Sequence, residues 1–174
     1  MTIIYPEATP VQGNVGVKAI LTVATPAAAS LATEVNAATS LDLSCFLRDW
    51  MAEPNPNSGT APPRLCAPDE FPIEGRTQYP AIEGRYVYNP QEADSTNNNK
   101  AKALLLKGTV LQIMVRLGLD ADQTTYAAAQ RYELWKVRCG SQIRTRSGDD
   151  EFAEFEIRQN FYPILAPVYG VIAA

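Results

Sequence analysis

Glu154 and Glu156 are the residues whose type and spacing come nearest to doing acid–base chemistry. On an extended strand, residues two apart point the same way with their bases about 7 Å apart. That separation falls loosely within the range of a carboxylate pair that cleaves glycosidic bonds. The same spacing also marks a solvated strand face, and Arg158 and Asn160 continue the polar series, so the solvated face is the stronger reading. No histidine occurs in the 174 residues. Ser-His-Asp and Cys-His catalysis, histidine-ligated zinc and a histidine pH switch are therefore excluded together. The cysteines, Cys45, Cys66 and Cys139, are odd in number and form no CxxC pair. Cys45 and Cys139 lie in alternating apolar segments, where a small buried thiol is expected.

Other constellations fail on chemistry. Asp120 and Asp122 imitate the start of a calcium loop, but Thr125 stands where that loop needs glycine and Arg131 where it needs glutamate. Asp149, Asp150 and Glu151 follow Ser147-Gly148 and read as a turn between strands. Arg138, Arg144 and Arg146 lie beside that acidic run and read as paired surface charge. Tyr79, Tyr86, Tyr88, Tyr132, Tyr162 and Tyr169 would suit a sugar platform, yet strands recruit tyrosine for packing alone. No catalytic residue, metal or cofactor is expected.

The elements that position these residues are mainly strands, because period-2 alternation dominates. Val17, Ala19, Leu21 and Val23 form one face of a first strand, and Leu41, Leu43, Cys45 and Leu47 one face of a second. Tyr86 and Tyr88 share a face near the end of a third. In 110–117, Leu111, Ile113, Val115 and Leu117 point in while Gln112 and Arg116 point out. Trp135, Val137 and Cys139 share a face, as do Ala153, Phe155, Ile157 and Phe161, with Glu154, Glu156, Arg158 and Asn160 opposite. One helix is expected, capped by Asp94 or Ser95 and stopped at Gly108. Short helical turns are weakly signalled near 33–37 and 126–130. The fold class is mainly β, a β-sandwich or part of a barrel with one flanking α-helix.

The whole chain, 1–174, reads as a single domain with three less regular segments: an extended N-terminal arm (1–15), a polar, proline-rich loop (48–64) and an apolar C-terminal tail (164–174). Lys and Arg number 15 against 19 Asp and Glu, a formal net charge of -4. That balance disfavours tight nucleic-acid binding, which rests on phosphate neutralisation. The first residues carry no basic, apolar secretory pattern, and the longest apolar stretch is about half of what a spanning helix needs.

The order of segments carries more information than any single motif. Arg64-Leu65-Cys66-Ala67-Pro68-Asp69-Glu70-Phe71, Tyr86-Val87-Tyr88-Asn89-Pro90-Gln91 and Tyr132-Glu133-Leu134-Trp135-Lys136-Val137-Arg138-Cys139-Gly140 are its most specific stretches. With the segments between them, from about residue 16 to 170, the chain resembles the major tail tube proteins of phages with long, non-contractile tails, particularly those infecting actinobacteria. The resemblance implies a subunit that closes with five others into a ring, its inner sheet joining its neighbours' in a continuous barrel. Rings would stack around a tape-measure protein, meet tail terminator and tail-tip proteins, and let double-stranded DNA pass without lasting contact. Such a subunit would be made and assembled in the host bacterial cytoplasm, reside in the virion tail and involve no membrane.

Within that picture Glu154, Glu156 and Arg158 are the residues expected to line the lumen, where an acidic wall would keep DNA sliding. Trp50, Pro54, Asn55, Pro56, Asn57, Ser58 and Thr60 are expected to reach the neighbouring ring. The arm and the apolar tail are further interface candidates, the tail equally a segment packed on its own subunit. Competing readings are a tail terminator, decoration protein or secretion-tube subunit on a related fold, a carbohydrate-binding β-sandwich, and, least favoured, a carboxylate hydrolase.

Overall fold

The computed structural model describes residues 9–50, 52–60, 72–123, 125–149 and 151–174. Its strands, in chain order, are β1 (Val15–Ile20), β2 (Leu41–Asp42), β3 (Leu47–Trp50), β4 (Asn55–Thr60), β5 (Pro72–Gln78), β6 (Ile82–Val87), β7 (Val110–Leu117), β8 (Arg131–Cys139), β9 (Ile143–Arg146), β10 (Phe155–Pro163) and β11 (Val168–Val171). Nine of them form one antiparallel sheet in the order β2-β1-β7-β8-β10-β6-β3, with β11 beside β8 and β9 beside β10. The sheet curls into a half-barrel. Strands β4 and β5 form a separate two-stranded ribbon.

Strands β8 and β9 follow one line along β10: Cys139 lies opposite Phe161, and Ile143 opposite Arg158. Gly140 makes the jog between them. Its amide donates to the Asn160 carbonyl at 2.8 Å, and a Cβ there would stand 2.7 Å from that oxygen. Only glycine fits so close an approach.

Apolar side chains bury on both faces of the central strands. Ile113, Trp135, Val137, Tyr86, Ile157 and Phe161 belong to one core, into which Ala101 and Leu105 dock from the helical segment. Met114, Leu134, Tyr132 and Ile20 point the other way and are covered by Val35, Tyr126 and Ile172. Each such large apolar side chain contributes roughly 1.5–3 kcal/mol by leaving water. The expected outward positions Gln112 and Arg116 are therefore buried, at 8% and 0% exposure. The in/out reading of 110–117 fails because a second layer covers the face it assigned to solvent.

Arg116 is accommodated through backbone carbonyls. Nη2 donates to the carbonyls of Asp120 (2.7 Å) and Gln123 (3.1 Å), and Nη1 to Gln130 Oε1 (3.3 Å). The guanidinium stacks on the Tyr126 ring at 4.1 Å, and Lys18 Nζ lies 4.3 Å from the same ring. Burial pulls the Lys18 pKa down, opposed by the charge of Asp42 and reinforced by that of Arg116. This cluster fixes the β7–β8 connection.

Other expectations shift at strand ends. Leu21, Leu117 and Phe155, expected inward, are exposed, because the first lies past the end of β1 and the others at the ends of β7 and β10. The expected second strand breaks after Asp42. There the Ser44 amide donates to Asp42 Oδ1, and the Leu43 amide to the Val17 carbonyl, turning the chain before β3. Cys45, expected buried, falls on that turn and is exposed, whereas Cys139 is buried as expected, its thiol pKa pushed up to about 11 by burial. Cys66 lies outside the described residues, as do Asp150 and the whole of the 64–71 stretch.

The helix is shorter than its sequence signals: a 3-10 turn at Asn97–Asn99 leads into α1 (Lys100–Leu104). Asp94 and Ser95 do not cap it; Asp94 pairs instead with Lys102 at 2.5 Å. Asn99 spends its side-chain amide on the carbonyls of Asn89 and Glu92, which competes with extending the helix backwards. The helix ends at Leu104 with Leu105 as its C-cap, so Gly108, expected as its stop, lies beyond it in the following turn at φ +87°. Of the weakly signalled turns, the first is a π-helical turn at Leu31–Val35.

The C-terminal tail packs on its own subunit. Strand β11 pairs with β8, Ile172 is buried in the second core, and Ala173 bonds to Ala29 and Leu31. Of the expected N-terminal arm, residues 1–8 lie outside the described residues, whereas Gly13 and Asn14 accept hydrogen bonds from Ala121 and Gly118.

Candidate assembly surfaces

The segment expected as a loop at 48–64 contains the end of β3 and all of β4. Proline and asparagine content argues against a central strand, and β4 is not one. It pairs only with β5, in a ribbon whose register shifts between Pro56 and Ser58, where proline cannot donate to the ladder. Asn55, Pro56, Asn57, Ser58, Gly59 and Thr60 are all exposed, as is Pro54, while Trp50 packs its ring 5.3 Å from Phe161 in the body. A two-stranded ribbon with no buried face is marginal in water by itself. Its shape suits contact with another surface.

A second surface is the sheet face opposite the main core over β6, the end of β8, β9 and β10. Glu83, Arg85, Arg138, Arg158, Asn160 and Tyr162 are exposed there, and Arg158 lies directly opposite Arg85. Glu154 is exposed, but Glu156, expected to be solvated beside it, is 2% exposed. Arg48 from β3 closes over the pair, bonding Glu154 and lying 3.3 Å from Glu156. The two carboxylates share one guanidinium in an ion-pair cluster. Arg85 Nε bonds Glu83 at 3.0 Å. Among the described side chains of this face, Arg48, Arg85, Lys136, Arg138 and Arg158 outnumber Glu83, Glu154 and Glu156.

Of the basic cluster, Arg146 pairs with Asp149 at 2.6 Å as expected; Arg138 and Arg144 have no ion pair among the described residues. The tyrosines do not converge on a platform. Tyr86, Tyr88 and Tyr132 are buried, while Tyr162 and Tyr169 are exposed on different faces.

Gln159 was not distinguished in the sequence, though it is a polar residue at an apolar position of the alternation 157-159-161. Its Nε2 donates to the carbonyls of Leu105 (2.7 Å) and Gly140 (2.9 Å), and its Oε1 accepts from Tyr86 Oη (2.9 Å). It ties α1, the β8–β9 jog and β6 together behind the polar face. Burial drives the Tyr86 pKa upward, against the hydrogen bond from Gln142.

A third surface lies where the main-core face runs uncovered past the end of the sheet. Val115, Glu133 and Tyr169 are cross-strand partners, and Leu117, Arg131 and Val171 follow one rung further. Val115 is buried, but Leu117 is 63% and Tyr169 71% exposed, around a groove of about 450 Å³. The Glu133 carboxylate beside Tyr169 raises that hydroxyl's pKa.

A family model described as phage tail tube protein matches residues 2–173. The chain belongs to the phage tail tube protein family. No curated protein matches it. The tail tube assignment makes it a structural component of the virion tail that assembles with itself. Among the described residues, no helix of this tail tube protein is long and apolar enough to cross a membrane, and no cluster of three or more metal-ligating side chains occurs.

Proposed function

We propose that this subunit closes with five copies into a ring and that rings stack around a tape-measure protein to form the conduit through which genomic DNA leaves the capsid. The observation that carries the reading is the family match along nearly the whole chain. The half-barrel sheet and the exposed β4–β5 ribbon suit it, since a sheet continued by its neighbours leaves no edge to aggregate. Synthesis and assembly take place in the host bacterial cytoplasm, tail terminator and tail-tip proteins close the ends, and the subunit catalyses nothing.

In this arrangement the face of Glu154, Glu156 and Arg158 turns to the lumen. Arg48 and Glu83 neutralise much of its charge, so passing DNA meets fixed ion pairs and few free cations. The ribbon, with Pro54 to Thr60, reaches the adjacent ring, and Trp50 anchors its base in the body.

Electron microscopy of the purified protein with and without its tape-measure protein tests the reading. Rings or tubes with sixfold symmetry are expected. Deleting Pro54 to Thr60 should leave rings or monomers, and tubes of unchanged length would remove the inter-ring role. A reconstruction that puts Arg158 on the outer wall would remove the lumen assignment.

A further inference from the structure

The uncovered groove on the main-core face asks for an apolar occupant, and the chain supplies one. Residues 1–5 read Met-Thr-Ile-Ile-Tyr, with no charge before Glu7 and three strong strand formers in succession. The strand they lead into starts beside the groove, because Val15 is the cross-strand partner of Leu117. Residues 11–14 are held in a turn against the body, and the eight residues before Thr9 span up to about 26 Å when extended.

Direction decides between the subunit's own groove and another's. Val11, Gln12 and Gly13 border a hollow shared with Leu47, Arg48 and Trp50, on the β3 side of the body. Strand β11 lies three strand spacings from β1 the other way, through β7 and β8, roughly 14 Å along the sheet. Residues 11–13 therefore lie on the side away from Tyr169 and Val171 of their own subunit. We propose that Ile3, Ile4 and Tyr5 of one copy seat in the groove formed by Val115, Leu117, Tyr169 and Val171 of a second copy, between Arg131 and Glu133. Side chains supply the contact, since the Val171 amide is already bonded to the Ala27 carbonyl. This seat rests on the tail tube reading and deepens it by naming the partner of the groove.

Cysteine pairing tests it. In a background with Cys45→Ser and Cys66→Ser, one chain carries Ile3→Cys and a second carries Val171→Cys. The two are mixed, assembled and treated with a mild oxidant. The mixed disulfide should form at least tenfold faster than with Leu21→Cys as the second partner, a residue half-exposed elsewhere. A chain with both Ile3→Cys and Val171→Cys should cross-link between copies. Cross-linking within one chain would overturn the proposal in favour of the subunit's own groove. Tubes that form with no cross-link overturn it while sparing the tube reading; a protein that never oligomerises removes both. A variant with Tyr169→Ala and Leu117→Ser should assemble at least tenfold less efficiently while keeping wild-type unfolding; unchanged assembly counts against the seat.

Discussion

Replacing Gln159 with leucine should separate the hydrogen-bonded frame behind the polar face from ordinary core packing. The glutamine amide makes three bonds, to Leu105, Gly140 and Tyr86. Leu105 keeps a bond from Gln142 Nε2 at 3.1 Å, so its carbonyl is not orphaned. The Gly140 carbonyl and the Tyr86 hydroxyl proton lose these partners in a site that is 1% exposed at residue 159. Each buried group left unsatisfied costs about 1–3 kcal/mol. The extra apolar burial of leucine returns roughly 1–2 kcal/mol, leaving a net loss of about 0–5 kcal/mol, centred on about 2–3 kcal/mol. Urea unfolding of the monomeric subunit, read by tryptophan fluorescence, measures it. Tyr86→Phe removes the same hydroxyl from the other side, so in the double variant the losses should fall short of their sum by about 1 kcal/mol. A cost of Gln159→Leu below about 0.5 kcal/mol, or strict additivity with Tyr86→Phe, would refute the reasoning.

Alkaline stability should follow Cys139 and the buried tyrosines. The thiol's ordinary pKa of 9.0 rises to about 11 in the fold. Between these values the unfolded chain has released a proton that the folded one keeps, so stability is complete below pH 9 and falls as pH climbs to 11. The loss is about 2–3 kcal/mol for the thiol, and Cys139→Ala should flatten the pH 9–11 limb in urea titrations. Tyr86 and Tyr126, both raised by burial, add to the fall from pH 10 upward. Arg48→Met strands the buried Glu156 carboxylate and should cost about 1–3 kcal/mol at pH 7; adding Glu156→Gln should recover most of it, and no recovery in thermal melts would show that Arg48 acts through packing alone.

The sequence already shows the strand faces that one core suffices to explain. Trp135, Val137 and Cys139 are buried together, and so are Tyr86 and Tyr88, because alternation reports a single apolar face faithfully. It misreads Gln112 and Arg116 because the layer that covers them comes from residues 20–35, 126 and 172, which no window around β7 contains. Leu117 fails for the opposite reason: its neighbours are apolar, but the layer stops short of its rung. The family resemblance was legible along the chain, yet which surfaces do the work was not. Gln159 and Arg48 acquire meaning only when Leu105, Gly140 and Glu156 stand beside them.

The two-sided burial also restricts where a channel wall can be. Over β1, β7 and the first half of β8, the face opposite the main core is occupied by Met114, Leu134 and Tyr132 under their own cover. Only the sector from Lys136 and Arg138 across β10 to β6 and β9 leaves polar side chains free to face water. Among the described side chains there, cations outnumber carboxylates, although the whole chain carries -4. The excess acid must then sit away from that sector, in part on Glu34, Glu74, Glu92, Asp120 and Asp122. A DNA duplex sliding past this face would meet ion pairs held in place by Arg48 and Glu83, with Lys136, Arg138 and Arg158 as cations that have no ion pair among the described residues. Sliding is then favoured by how few phosphates any one subunit can neutralise, since each neutralised phosphate adds to a counterion-release attraction. On this argument Arg158→Glu should quicken ejection or leave it unchanged, whereas Glu83→Arg together with Glu154→Arg should slow it and make its rate depend more steeply on salt.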